Sequence, residues 1–229
     1  SEGYVNLLKL NSISFTEGFY YRPRIDINTL KKYSKGLICM SACLAGVIPR
    51  YLIRDDYEGA KAHALLLKSI FEEGDFYIEL QDHGIDEQLK INPLLYQLSK
   101  EIGVKPVATN DVHYIDREDS EMQDVLMCVQ TGKTIDSENR LRFSGNEFYL
   151  KSGDEMAQLF DWCPEAIDTT LEIADKCNVE IKFKQPLLPS YIPSDKSKPE
   201  DYLRRLTYEG LERRYGKITA EIRERAEYE

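Results

Sequence analysis

The sequence contains no run approaching the ~18 consecutive apolar residues of a membrane-spanning helix, and nothing in it has the layout of a secretory leader. Membrane spanning and secretion are therefore not expected. Cysteine is sparse. Cys39, Cys43, Cys128, Cys163 and Cys177 include no CxxC pair, and their odd number fits no closed disulfide framework. Mostly buried thiols in a reducing compartment are expected, which places the chain in the cytoplasm. Positive charge is in deficit, with 30 Lys and Arg against 40 Asp and Glu for a net charge of −10. Nucleic-acid affinity rests largely on cationic contacts to phosphate, so a net-acidic chain makes a poor DNA clamp by itself. The basic stretches at Arg22-Pro-Arg24 and around Arg204, Arg205, Arg213 and Arg214 read as solvated surface and structural ion pairs before phosphate contacts. Also missing are a P-loop, a dinucleotide fingerprint, a serine-nucleophile elbow and any internal repeat.

What is present is enough apolar material for a core: 42% of the 229 residues are hydrophobic and 10% aromatic, which argues against disorder. After an opening helix, strands are predicted at Leu37–Met40, at Phe76–Leu80 (Phe76, Ile78 and Leu80 on one face) and at Val107–Thr109. Between them, Tyr57, Ala60, Ala64, Leu67 and Phe71 form one amphipathic stripe, and Ile91, Leu95, Leu98 and Ile102 another. Gly103 closes the second helix, with Asn92 its expected cap and Pro93 its first residue. Strand–helix alternation of this kind means a parallel α/β arrangement. The second half reads as helical. Asp116 caps a helix through Gln130 with Met122, Val125, Leu126 and Val129 inward. Ser152-x-x-Glu155 is a capping box before Met156, Leu159 and Phe160, and Pro164 opens a helix buried along Ile167, Leu171 and Ala174. The expected domains are an α/β domain over 1–183, a proline-containing linker over 184–198, and a helical region over 199–229 whose first helix is marked by Tyr202, Leu203, Leu206 and Leu211 and ends near Gly216. Ser1-Glu2-Gly3 leads in without an initiator Met, and the chain stops in mid-pattern at Glu229. A piece of a longer protein, cut at both ends, is expected.

Each predicted strand is followed at once by ligand-type residues: Ser41-Ala42-Cys43, then Gln81-Asp82-His83, then Asn110-Asp111-Val112-His113. Residues beyond the carboxyl ends of parallel strands converge on one rim. In extended backbone Asp111 and His113 point the same way, so carboxylate and imidazole can reach one cation. That donor pair suits Zn²⁺, Mn²⁺ or Fe²⁺, and a Cys43 thiolate favours Zn²⁺. The alternatives are ordinary ones: Asp111 capping a turn, His113 packed and hydrogen-bonded, Cys43 a core thiol, Asp82 and His83 turn residues. His63, within a helix, is assigned no function. Two or three ligands do not close a site.

The motifs Gly18-Phe-Tyr-Tyr-Arg-Pro-Arg-Ile-Asp26, Ser41-Ala-Cys-Leu-Ala-Gly46, Glu79-Leu-Gln-Asp-His-Gly84 and Val107-Ala-Thr-Asn-Asp-Val-His-Tyr114 resemble those of the bacterial replicative DNA polymerase III alpha subunit. So do Gln130-Thr-Gly-Lys133, Glu147-Phe-Tyr-Leu-Lys151 and Asn178-Val-Glu180, in one order along the whole chain. The resemblance implies the polymerase and histidinol phosphatase (PHP) domain without its first third, then the start of the palm. The fold it implies is a partial, distorted (β/α) barrel with a helical C-terminal extension. Cys43, Asp111 and His113 fall on metal-ligand positions, while His83, Asp82 and Asn110 are rim neighbours. Zinc or manganese in the intact PHP site, and magnesium at a polymerase site whose ligands lie beyond Glu229, are the implied cofactors. DNA, deoxynucleotides and other replisome subunits are the implied partners. The family's early His-x-His and further ligands are not in this sequence, so the chain alone is expected neither to extend DNA nor to hydrolyse phosphoesters. Self-association through an exposed sheet edge is expected as well. The implied role is DNA replication by a DNA-directed nucleotidyltransferase, with the PHP region a scaffold and 3′–5′ proofreading site. Two alternatives stand beside it: a stand-alone PHP-superfamily metallophosphoesterase, and a structural module with vestigial ligands.

Overall fold

The computed structural model describes residues 2–181, 183 and 188–229. The chain divides into two compact units, Ser1–Glu180 and Ile181–Glu229. The first residues of the expected 184–198 linker, 184–187, lie outside the described residues.

The first unit opens with helices α1 (Glu2–Thr16) and α2 (Ile27–Lys32). It then alternates β1 (Cys39–Met40), α3 (Val47–Ile53), α4 (Tyr57–Lys68), β2 (Phe76–Leu80), α5 (Asp86–Ile102) and β3 (Pro106–Ala108). The strands form a parallel sheet in the order β1-β2-β3, with Cys39 opposite Phe76 and Glu79 opposite Val107. An α/β class with a small parallel sheet is therefore observed; among the described residues three strands pair in it, and they do not close into a barrel. The centre strand is buried on both faces, Tyr77 as well as Phe76, Ile78 and Leu80. The expected single apolar face is thus corrected, because a middle strand covered by helices on two sides has no solvent face. The core gathers Ile48 and Leu52 of α3, Ala60 and Ala64 of α4, and Ile91, Leu95 and Leu98 of α5 around β2. Phe160, Cys163 and Ala166 complete it.

Helix α5 begins at Asp86 rather than at Pro93, which lies inside it. Asn92 is no cap: it is buried, and its Nδ2 donates to the carbonyl of Gln81 at 3.0 Å. Gly103 ends the helix in the left-handed conformation, φ 62°, as expected.

A short 3₁₀ turn (Arg117–Asp119) holds the Asp116 capping box and leads into α6 (Ser120–Thr131). The stripe expected to face inward there faces out. Met122, Val125, Leu126 and Val129 are exposed, and Met127 and Cys128 are the buried residues. Periodicity finds such a helix but cannot say which side the remainder of the fold covers. The Ser152–Glu155 capping box opens α7 (Gly153–Leu159) as read, with Phe160 fully buried after it. Helix α8 (Glu165–Lys176) buries Ala166 and Thr169 and leaves Leu171 and Ala174 exposed, one register step from expectation. Helix α8 packs against β3.

The second unit holds α9 (Pro199–Tyr215) and α10 (Ala220–Tyr228). Arg204 and Tyr208 of α9 both bind the carboxylate of Glu227. No helix among the described residues is long and apolar enough to cross a membrane.

Candidate metal-binding rim

Parallel strands bring their carboxyl ends to one edge, and the loops after β1, β2 and β3 leave from it together. In the first loop Ser41 Oγ accepts the Glu79 backbone N–H at 2.8 Å, which fixes the exit of β1 to β2. A Cβ at Gly46 would lie 2.4 Å from the Ser41 carbonyl oxygen, so only glycine lets this loop close. Cys43, half-buried, lines a small cavity with Glu79, Gln81, Gln88 and Asn92. Burial and then the nearby Glu79 charge push the Cys39 thiol up to about 11, so this strand thiol stays protonated.

In the second loop Asp82 Oδ1 accepts the Gly84 N–H at 2.9 Å, an Asx turn. His83 is buried and stacks on Phe148 with ring centroids 3.9 Å apart. Its Nε2 lies 2.8 Å from the Asn110 carbonyl, which can only accept, so Nε2 carries the hydrogen. Nδ1 then accepts from Gln88 Nε2 at 2.9 Å, while Gln88 Oε1 takes the His83 backbone N–H at 2.8 Å. Both ring nitrogens of His83 are engaged within the protein, which leaves no lone pair for a cation.

The third loop carries the pair singled out in the sequence. His113 Nε2 stands 3.5 Å from Asp111 Oδ1, beyond a good hydrogen bond, and both side chains are over a third exposed or nearly so. Asp111 holds a left-handed backbone, φ 43°, and so does Ala42 beside Cys43, φ 66°. Such geometry costs a non-glycine residue about 1–2 kcal/mol, and strain of this kind gathers at functional sites. The imidazole of His113 rests against Phe143 and edge-on to Phe148. Its backbone N–H donates to the Phe148 carbonyl at 2.8 Å.

Asn110, between the two histidine loops, is buried. Its Nδ2 donates to the Tyr149 carbonyl at 2.6 Å and reaches the Glu147 carbonyl at 3.3 Å. Behind the rim Glu79 Oε1 accepts from Gln81 Nε2 at 3.0 Å and from Thr109 Oγ1 at 2.5 Å. The sequence reading missed this network and the 147–151 segment as parts of the rim. The only available signal was the Glu147–Lys151 motif itself, which has no helical or strand period.

A carboxylate and an imidazole 3.5 Å apart are donors of the right chemistry for zinc or manganese. Among the described residues no three His, Cys, Asp or Glu side chains gather as an ion site. The two candidate donors brought together are Asp111 and His113, and Cys43 is not grouped with them among the described residues.

A family model described as the PHP domain matches residues 1–83. Along 99% of its length the chain is 50% identical to the DNA polymerase III subunit alpha of Borreliella burgdorferi, of which it covers 20%. It is 46% identical to that of Treponema pallidum, with the same coverage, and 40% identical to that of Thermus aquaticus over 93% of this chain and 18% of that protein. The chain thus spans about a fifth of the length of the curated relatives it matches.

Proposed function

We propose that the chain is a segment of a DNA polymerase III alpha subunit, part of a replicative, DNA-directed DNA polymerase of the cytoplasm. The observation that carries this reading is a 50% identity along 99% of the chain. In the proposal the 1–183 region is the PHP domain, part of a (β/α) barrel, and 199–229 begins the palm after the 184–198 linker. DNA, deoxynucleotides and other replisome subunits are partners of the whole polymerase, and its magnesium ligands lie outside this chain.

The rim after β1 and β3 is a metal-dependent 3′–5′ proofreading site in the same proposal, with Asp111, His113 and Cys43 as this segment's contribution. Zinc or manganese held there, with ligands supplied from elsewhere in the polymerase, would furnish an activated water for phosphodiester hydrolysis. Within the chain, Asp111 and His113 present the donor atoms, and Phe143 and Phe148 hold the His113 ring in place. Engagement of His83 on both nitrogens supports leaving it out of the ligand set. By itself the 229-residue chain is proposed to be inactive, since two gathered ligands do not make a hydrolytic centre.

The test is the double variant Asp111→Asn, His113→Ala in the complete polymerase. Loss of bound metal and of 3′ exonuclease activity, with primer extension retained, is expected. Unchanged metal and exonuclease activity would overturn the site assignment, and a wild-type polymerase without either would favour a vestigial rim. Self-association of the 229-residue chain is also proposed, because β1 and β3 are edges of the sheet and α1 exposes Tyr4, Val5, Leu7 and Leu8. A monomeric sedimentation profile at high concentration would remove it.

A further inference from the structure

We propose that Lys151 is a positioning residue for the Asp111–His113 pair and acts on it through Asn110. The Lys151 side chain is 3% exposed, and a lysine so deeply buried has to be paired. Its ammonium group meets the Glu147 carboxylate at 3.3 Å, the Glu147 carbonyl, the face of the Tyr149 ring at 4.3 Å and Asn110 Oδ1 at 3.3 Å. An ammonium group only donates, so it selects the oxygen end of the Asn110 amide. The nitrogen end must then face the Tyr149 and Glu147 carbonyls, as it does. One charge thereby sets the orientation of the side chain that precedes Asp111, whose own backbone is left-handed and needs outside support.

The remainder of the 147–151 segment grips the same loop. Phe148 accepts from the His113 backbone and packs between the rings of His83 and His113. The Leu150 N–H donates to the Tyr114 carbonyl at 3.1 Å. Arg117 anchors the segment from the other side, pairing with Glu147 and donating to Tyr149 Oη at 2.9 Å. The Glu147–Lys151 motif is in this view a clamp on residues 110–114, with Lys151 as its pin.

The catalytic importance of this clamp rests on Asp111 and His113 being metal ligands, but the positioning itself can be read without metal. The chain has three histidines, so ¹³C-edited NMR of their rings gives three assignable sets of signals. Lys151→Met keeps the stem and removes the charge. It is expected to shift the ring signals of His113 and His83 while those of His63, on α4, stay in place. Unmoved His113 and His83 signals in a folded variant would overturn the proposal. Should Lys151→Met unfold the chain, Asn110→Ser decides the matter. A His113 shift supports positioning through the amide, and unmoved His113 signals refute it. In the complete polymerase, Lys151→Met is expected to raise the manganese concentration for half-maximal exonuclease activity about 10–100-fold. An unchanged manganese requirement would count against the proposal. A wild-type polymerase without exonuclease activity would instead remove the metal reading, and the histidine shifts would still decide the positioning.

Discussion

Helices α5 and α9 are each 17 residues long, and a glycine follows each of them. Yet α5 buries Gln88, Ile91, Asn92, Leu95, Leu98, Ser99 and Ile102, whereas α9 buries no residue at all. The first is held by a stripe against the sheet. The second is held by Pro199 at its start, Glu200 and Asp201 in its first turn and Arg213 and Arg214 in its last, which suit the helix dipole. Ion pairs of Arg204 with Glu227 and Arg205 with Asp195 add to it at exposed positions, where such pairs contribute little. Caps and charges are enough to write a helix. Only buried side chains tie it to a particular neighbour.

The contrast can be broken most forcefully at Leu98, which is fully buried in α5. Leu98→Ala is expected to cost about 2–5 kcal/mol in urea unfolding, while Leu203→Ala, at an exposed position of α9, changes stability by less than about 0.5 kcal/mol. Equal losses at the two positions would mean that α9 has a buried face after all.

Acid sharpens the comparison next. Lys100 of α5, and then Tyr96, hold the Glu165 carboxyl down to about 2 from its usual 4.5. A depressed carboxyl stabilises the fold above its unfolded value, and that contribution is lost as pH falls from 4.5 towards about 2. Trp162, the chain's one tryptophan, packs edge-on to Tyr96 at 5.7 Å. Its fluorescence is therefore expected to titrate in that window, and Glu165→Gln to flatten the titration.

A smaller effect is expected from Gly210→Ala within α9, where an added methyl group meets only the end of Arg213, at 3.9 Å. It should stabilise that helix by about 1 kcal/mol, seen as higher ellipticity on mild heating. Smallest is Ala42→Gly at the rim, expected to stabilise the first unit by about 0.5 kcal/mol through relief of a left-handed alanine. Ala60→Gly, inside the buried face of α4, is expected to do the opposite.

The same division decides what the sequence disclosed. The Phe76–Leu80 strand, the Gly103 stop and the Ser152–Glu155 box are local: neighbouring residues carry the whole signal, and each appears where it was expected. The outward turn of Met122, Val125, Leu126 and Val129, and the register of α8, depend on what lies across from them, which periodicity does not encode. At the rim, the extended backbone expected at Asp111 is replaced by a left-handed one, and the His113 and Asp111 side chains nonetheless come within 3.5 Å. The engagement of His83 by Gln88 and Asn110, and the hold of Lys151 on Asn110, join residues up to 41 positions apart and left no mark that a single sequence reveals.

The exchange between Gln88 and His83 has a consequence for ancestry. One amide gives a hydrogen to the ring and takes another from the backbone of the same histidine, so each partner is fitted to the other's atoms. A lineage that replaces His83 with an apolar residue leaves the Gln88 amide with a donor unanswered in a buried place. The two positions should therefore drift together, and replacements at one should be rare on branches where the other is retained.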